Sequence, residues 1–178
     1  MQAGMKRILR MGLVAVLVVA AQCGMAQTVK VGTFDRTSIV LAFYGSPMWS
    51  AKLNAAQAEK DKAKAAGDQK KVAELNKWGQ NQQKLAHKQM MGNTPIDNIL
   101  ETMKPMFAAV EAQAHVTTIM PEGSGTNKTV ATVDVTDQLM NQLQASAKTR
   151  QNAEQLRNFK KTHPIKYRLT MFLFRFAG

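Results

Sequence analysis

The stretch AKAAGDQKKVAEL, residues 63–75, interrupts a helix-forming composition once and then lets it resume. Alanine and lysine favour the helix. Gly67 and Asp68 are residues of helix ends: glycine accepts the left-handed backbone just past a C-terminus, and an aspartate side chain caps an N-terminus. Outward from this break, Pro47 to Ala66 and Asp68 to about Met91 are both rich in Ala, Lys, Gln and Glu. Gly45-Ser46-Pro47 starts the first segment, with Ser46 as cap and Pro47 in the first turn. Each helix would be about 30 Å long at 1.5 Å per residue. Joined by one or two residues, they must fold back as an antiparallel hairpin. Their facing positions are Leu53, Ala56 and Ala63 outward, then Val72, Leu75, Trp78 and Leu85 on the return. That seam has roughly heptad spacing, enough to zip two helices and too thin to seat them in a globular core. Gly79 weakens the return helix by about 1 kcal/mol relative to alanine. Gly67-Asp68 therefore reads as the tip of a protruding helical hairpin over residues 47–91.

The flanks read as a compact α+β body. VKVGTF (29–34) alternates as a strand, with Val29, Val31 and Thr33 on one face. DRTSIVLAFY (35–44) follows as a short buried helix capped by Asp35, with a continued strand as the alternative because Ile39-Val40 are β-branched. PIDNILETMKPMFAAVEAQA (95–114) is a helix with Thr94 as cap, and Ile96, Ile99, Leu100, Met103, Phe107 and Val110 make its broad core-facing stripe. HVTTIM (115–120) and VATVDV (130–135) are strands around a flexible loop, PEGSGTNKT (121–129), read as a hairpin loop. Thr136 caps a last short helix, DQLMNQLQ.

The N-terminus has the three-part layout of a secretory signal peptide. Lys6, Arg7 and Arg10 precede the apolar run 11–21, and Gly24 and Ala26 precede a cleavage point before Gln27. Residues 1–26 are thus expected to be removed, giving an exported product; an uncleaved anchor is the alternative. The single cysteine, Cys23, would leave with the signal, which removes disulfides and thiol chemistry from the mature chain. The net charge of +12 is unevenly placed: residues 148–178 hold eight Lys and Arg against one acid, Glu154. Such a tail reads as a solvated, poorly ordered end or as a contact for an anionic surface. IKYRLTMFLFRF (165–176) alternates polar and apolar residues from Tyr167 on, in the manner of an edge strand or a surface-attached segment.

Few motifs point to catalysis. GSGTNKT (123–129) lacks the glycine before lysine and the following helix of a phosphate-binding loop. His87, His115 and His163 are far apart, and none has a histidine partner at i+4. Asp97 with Glu101, and Asp134 with Asp137, are carboxylate pairs suited to acid–base work, yet their positions are also those of helix starts and a strand end. The expectation is a non-enzyme with no cofactor and no metal.

Read together, VKVGTFDRTSI, KAAGDQKKVAEL and HVTTIM followed by VATVDVTDQLMNQL resemble the opening strand and helix, the hairpin tip, and the closing strands and helix of the Skp (OmpH) family of periplasmic chaperones. The likeness spans residues 29–145 and rests on order and local pattern; the hairpin is shorter than is usual in that family. The resemblance implies a trimer, with helical arms enclosing unfolded outer-membrane proteins without ATP. It implies client contacts through the hairpin, by Met48, Trp49, Leu53, Val72, Leu75, Trp78, Leu85, Met90 and Met91. It implies oligomer contacts through the sheet, by Val29, Val31, Val116, Ile119, Val130 and Val133. The alternative function is an envelope scaffold that uses the hairpin as a coiled-coil arm and the basic tail on a membrane surface. Neither reading involves nucleic acid.

Overall fold

The computed structural model describes residues 29–124 and 130–167. The expectations for the signal peptide (1–26), for residues 125–129 of the glycine-rich loop and for residues 168–178 of the tail lie outside them. The described chain runs β1 (Lys30–Phe34), α1 (Arg36–Tyr44), α2 (Pro47–Ala65), α3 (Gln69–Met90), α4 (Asp97–Ala114), β2 (Thr118–Pro121), β3 (Ala131–Asp134), α5 (Thr136–Gln142) and α6 (Ala147–Thr162). It is mostly helical around one small sheet, in keeping with the expected α+β class. Among the described residues no helix is long and apolar enough to cross a membrane.

The sheet has the order β2-β1-β3, and both neighbours run parallel to β1, with Val31 opposite Thr118 on one side and Thr132 on the other. This corrects the expected hairpin of the last two strands. The link between them is shorter than the dozen residues that usually join parallel strands, so its length mimics a hairpin loop. The sheet can close this way because its centre is glycine. A Cβ on Gly32 would lie 3.1 Å from Ile119, 3.2 Å from Val116 and 3.3 Å from Val135. The core-facing side of β1 is therefore that of Gly32 and Phe34, not the side of Val29, Val31 and Thr33 that alternation favours.

The core lies between the sheet and α1, α4 and α5. Phe34, Ile39, Val40, Ile99, Met103, Val110, Leu139 and Met140 are buried within it. Asp35 caps α1 as expected, accepting from the Ser38 backbone N–H at 2.8 Å. The α4 stripe also packs as read, with Leu100 and Phe107 partly buried against the core. Its start differs: α4 begins at Asp97 with Ile96 at the cap position and no side-chain cap bond. Thr94 instead offers its carbonyl to the Arg36 guanidinium.

The expected solvated end is corrected as well, because residues 147–162 form α6. Ser146 caps it, accepting from the Thr149 N–H at 3.2 Å. Ala153 is fully buried in the core cluster, and α6 packs along α1.

Candidate functional site

Two regions carry exposed or convergent chemistry: the α2–α3 pair and a cleft at the strand ends. The chain between α2 and α3 is Ala66-Gly67-Asp68, with Gly67 at φ +72°. Asp68 caps α3, accepting from the Lys71 N–H at 2.9 Å. Near this turn Lys71 meets Glu59 at 2.8 Å, and that hydrogen bond raises the lysine above its ordinary 10.5. At the other end, the Tyr44 hydroxyl donates to Gln89 Oε1 at 2.8 Å, while Gln89 Nε2 donates to the Pro95 carbonyl at 2.8 Å and to Asn98 Oδ1. Gln89 is buried with its amide satisfied on both sides, which fastens α3 to the start of α4. Burial raises the Tyr44 phenol above its ordinary value, against the opposing effect of Asn98.

The expected client residues divide into three groups. Trp49 is buried at the base, packed edge-on to Tyr44 at 4.9 Å between ring centres, with the Lys52 ammonium over its ring. Met90 also packs on the core. Both thus contact the core, Trp49 buried and Met90 half-buried. Met48 and Leu53 are exposed, whereas Val72, Leu75, Trp78, Leu85 and Met91 are half-buried. Of these, the structure brings Leu53, Leu75 and Trp78 together with Ala56 and Gly79, in a cleft of about 550 Å³ between α2 and α3. Asn54, Gln57, Asn76, Gln80 and Lys60 also line it.

The expected oligomer residues are mostly occupied within the chain. Val31 and Val116 are buried, Ile119 and Val133 pack against the core, and Val130 is half-buried. Val29, just before β1, is 59% exposed and is the one fully open member of the set.

The second region lies at the carboxyl ends of the strands, where parallel sheets commonly bind ligands beside a central strand flanked on both sides. Each strand delivers one carboxylate there: Asp35 after β1, Glu122 after β2 and Asp134 at the end of β3. They line a cleft of about 590 Å³ whose other wall is α6. The α6 cations meet them. Lys160 Nζ lies 3.3 Å from Asp35 Oδ2 and 3.5 Å from Glu122 Oε2. Arg157 lies 3.2 Å from Asp137 and 3.9 Å from Asp134. Burial works to lower the Lys160 pKa, but Asp35 and then Glu122 outweigh it, and the net shift is upward from 10.5. The Asp134–Asp137 pair thus shares a guanidinium, an arrangement that holds α6 in place.

The three histidines do not converge. His87 lies on α3, His115 ends α4 with φ 53°, and His163 stacks on Phe159. Among the described residues no group of three or more His, Cys, Asp or Glu is placed to hold a metal ion. The sequence reading missed Gln89, Arg157 and Lys160. Arg157 and Lys160 follow Ala153 at helical spacing, a signal hidden by the overall basic composition. Gln89 gives none, being one amide among many. Compared with family models, with curated proteins and with solved structures, the chain matches none.

Proposed function

We propose that the chain is an ATP-independent, non-catalytic holdase of the periplasm, similar in plan to the Skp family, that shields unfolded outer-membrane and other envelope proteins. In this reading α2 and α3 form an antiparallel arm that protrudes from the body. One observation carries it. Over helices of 19 and 22 residues, only Trp49, Ala63 and Gln89 are buried, and two of those three sit at the base. A helical surface that contributes so little to its own core is available for contacts elsewhere. The ladder of contacts supports the opposed sense, since Glu59 pairs with Lys71 near the turn and Tyr44 with Gln89 at the base.

The scaffold alternative draws part of its case from the basic tail, and that part is weakened. Arg157 and Lys160 are committed to carboxylates, and Arg150 donates to the Ala145 and Met140 carbonyls. The test dilutes an unfolded outer-membrane barrel from urea and follows light scattering, with residues 27–178 or with a variant lacking 51–87. Suppressed aggregation that disappears with the deletion is the expected result. No suppression at several-fold excess and low salt overturns the holdase and leaves a scaffold for a folded partner. Sedimentation of the same samples measures whether the trimer implied by the resemblance forms.

A further inference from the structure

Gly79 stands in the middle of α3 without a structural reason for being glycine. It is absent from the glycines of positive φ, which are Gly67, Gly92 and Gly123. It is also unlike Gly32 and Gly45, where an added Cβ would be crowded: at Gly79, apart from its chain neighbours and the local helix backbone, no atom lies within 4 Å of that position. The helix accepts a weakening residue where a Cβ would fit. What the missing side chain leaves is open space beside Trp78, in the cleft shared with Leu53, Ala56 and Leu75.

The chemistry around that space is specific. A lining that joins Leu53, Ala56 and Leu75 to the Trp78 indole suits a flat ring, which gains from both area and edge contacts. Around it stand Asn54, Gln57, Asn76 and Gln80, whose amides both donate and accept, as the backbone of an extended chain requires. Lys60 is the charged residue of the lining, and no acid lines it. The arm as a whole, residues 47–91, has nine lysines against four acids. Charge complementarity therefore favours an acidic occupant. It disfavours the chain's own residues 168–178, which carry Arg168 and Arg175 and no acid.

We propose that the cleft at Trp78 and Gly79 takes one aromatic side chain from an extended, acidic segment of an unfolded polypeptide. This rests on the arm being the client-binding element, and it names the feature of the client that the arm selects. The probe is a fluorescein-labelled unstructured nonapeptide with one phenylalanine between aspartates, titrated with residues 27–178 at low salt and read by anisotropy. Gly79→Leu, which fills the space, should weaken binding about tenfold or more. Replacing the peptide's phenylalanine by alanine, or its aspartates by lysines, should do the same. Gly79→Ala gives a smaller loss while raising helicity by circular dichroism, a combination that unfolding of the arm cannot produce. Unchanged affinity in Gly79→Leu, or equal binding of the three peptides, overturns the inference. The barrel-aggregation assay on Gly79→Leu separates the two ideas: protection lost on deleting 51–87 but kept in Gly79→Leu leaves the holdase standing and removes the aromatic cleft.

Discussion

The Thr136 hydroxyl accepts from the Asp35 backbone N–H at 2.9 Å and donates to the Asp134 carboxylate, whose Oδ1 also accepts from the Thr136 N–H at 2.9 Å. It links the ends of β1 and β3 at the start of α5, and it is fully buried. Thr136→Val keeps the shape and strands the Asp35 N–H without an acceptor. Such a loss costs about 2 kcal/mol, measurable as a lower urea midpoint with unchanged slope. The sequence reading placed Thr136 as a helix cap, and the structure gives the cap position to Val135 with no side-chain bond. Asp35, Ser46 and Asp68 were legible because a cap bonds three residues along its own chain. The acceptor role of Thr136 spans 101 residues, and no local pattern encodes that.

Among the elements, α2, α3 and α4 were readable from composition, caps and the apolar stripe. α6 was not, because its docking residue is a single alanine and its cations read as solvated. Its attachment joins the buried Ala153 contact to the ion pairs of Arg157 and Lys160. Exposed ion pairs contribute about 0–1 kcal/mol each, and Lys160 is 44% exposed, so the clamp is weak and weakened further by salt. The raised Lys160 pKa gives its contribution a direction with pH. Below the ordinary value of 10.5 the ammonium is charged with or without the clamp, so the stabilisation is fully present; it is lost as pH rises through the raised value. The Ala153 methyl resonance should stay constant from neutral pH to about 9 and move above about 10.5. In Lys160→Gln it should be displaced already at neutral pH, with no such alkaline step. A wild-type step near neutrality would assign the clamp to other groups.

For the whole molecule, the contrast in burial between α2–α3 and α4 was visible in the thin seam of 47–91 and the fat stripe of 95–114. The strand pairing was not, since a parallel sheet with a short link looks like a hairpin. A body that keeps Trp49, Gln89 and Met90 keeps the base contacts, so replacing 51–87 by a short loop should leave thermal unfolding cooperative by calorimetry. A broad, non-cooperative transition would show that the body depends on the arm. The sheet has one more consequence, and it concerns time. β1 is the first described element and central in the sheet, yet Thr117 reaches back 87 residues to Lys30 and Thr136 reaches 101 to Asp35. Emerging N-terminus first, β1 must wait for both neighbours, whereas contacts between α2 and α3, such as Glu59 with Lys71, close over far shorter separations. Closing the sheet over the long intervening segment costs an entropy that grows only logarithmically with length, about 0.6 kcal/mol per doubling of a flexible loop. A longer or shorter α2–α3 segment should thus change the cost of closing the sheet only slightly.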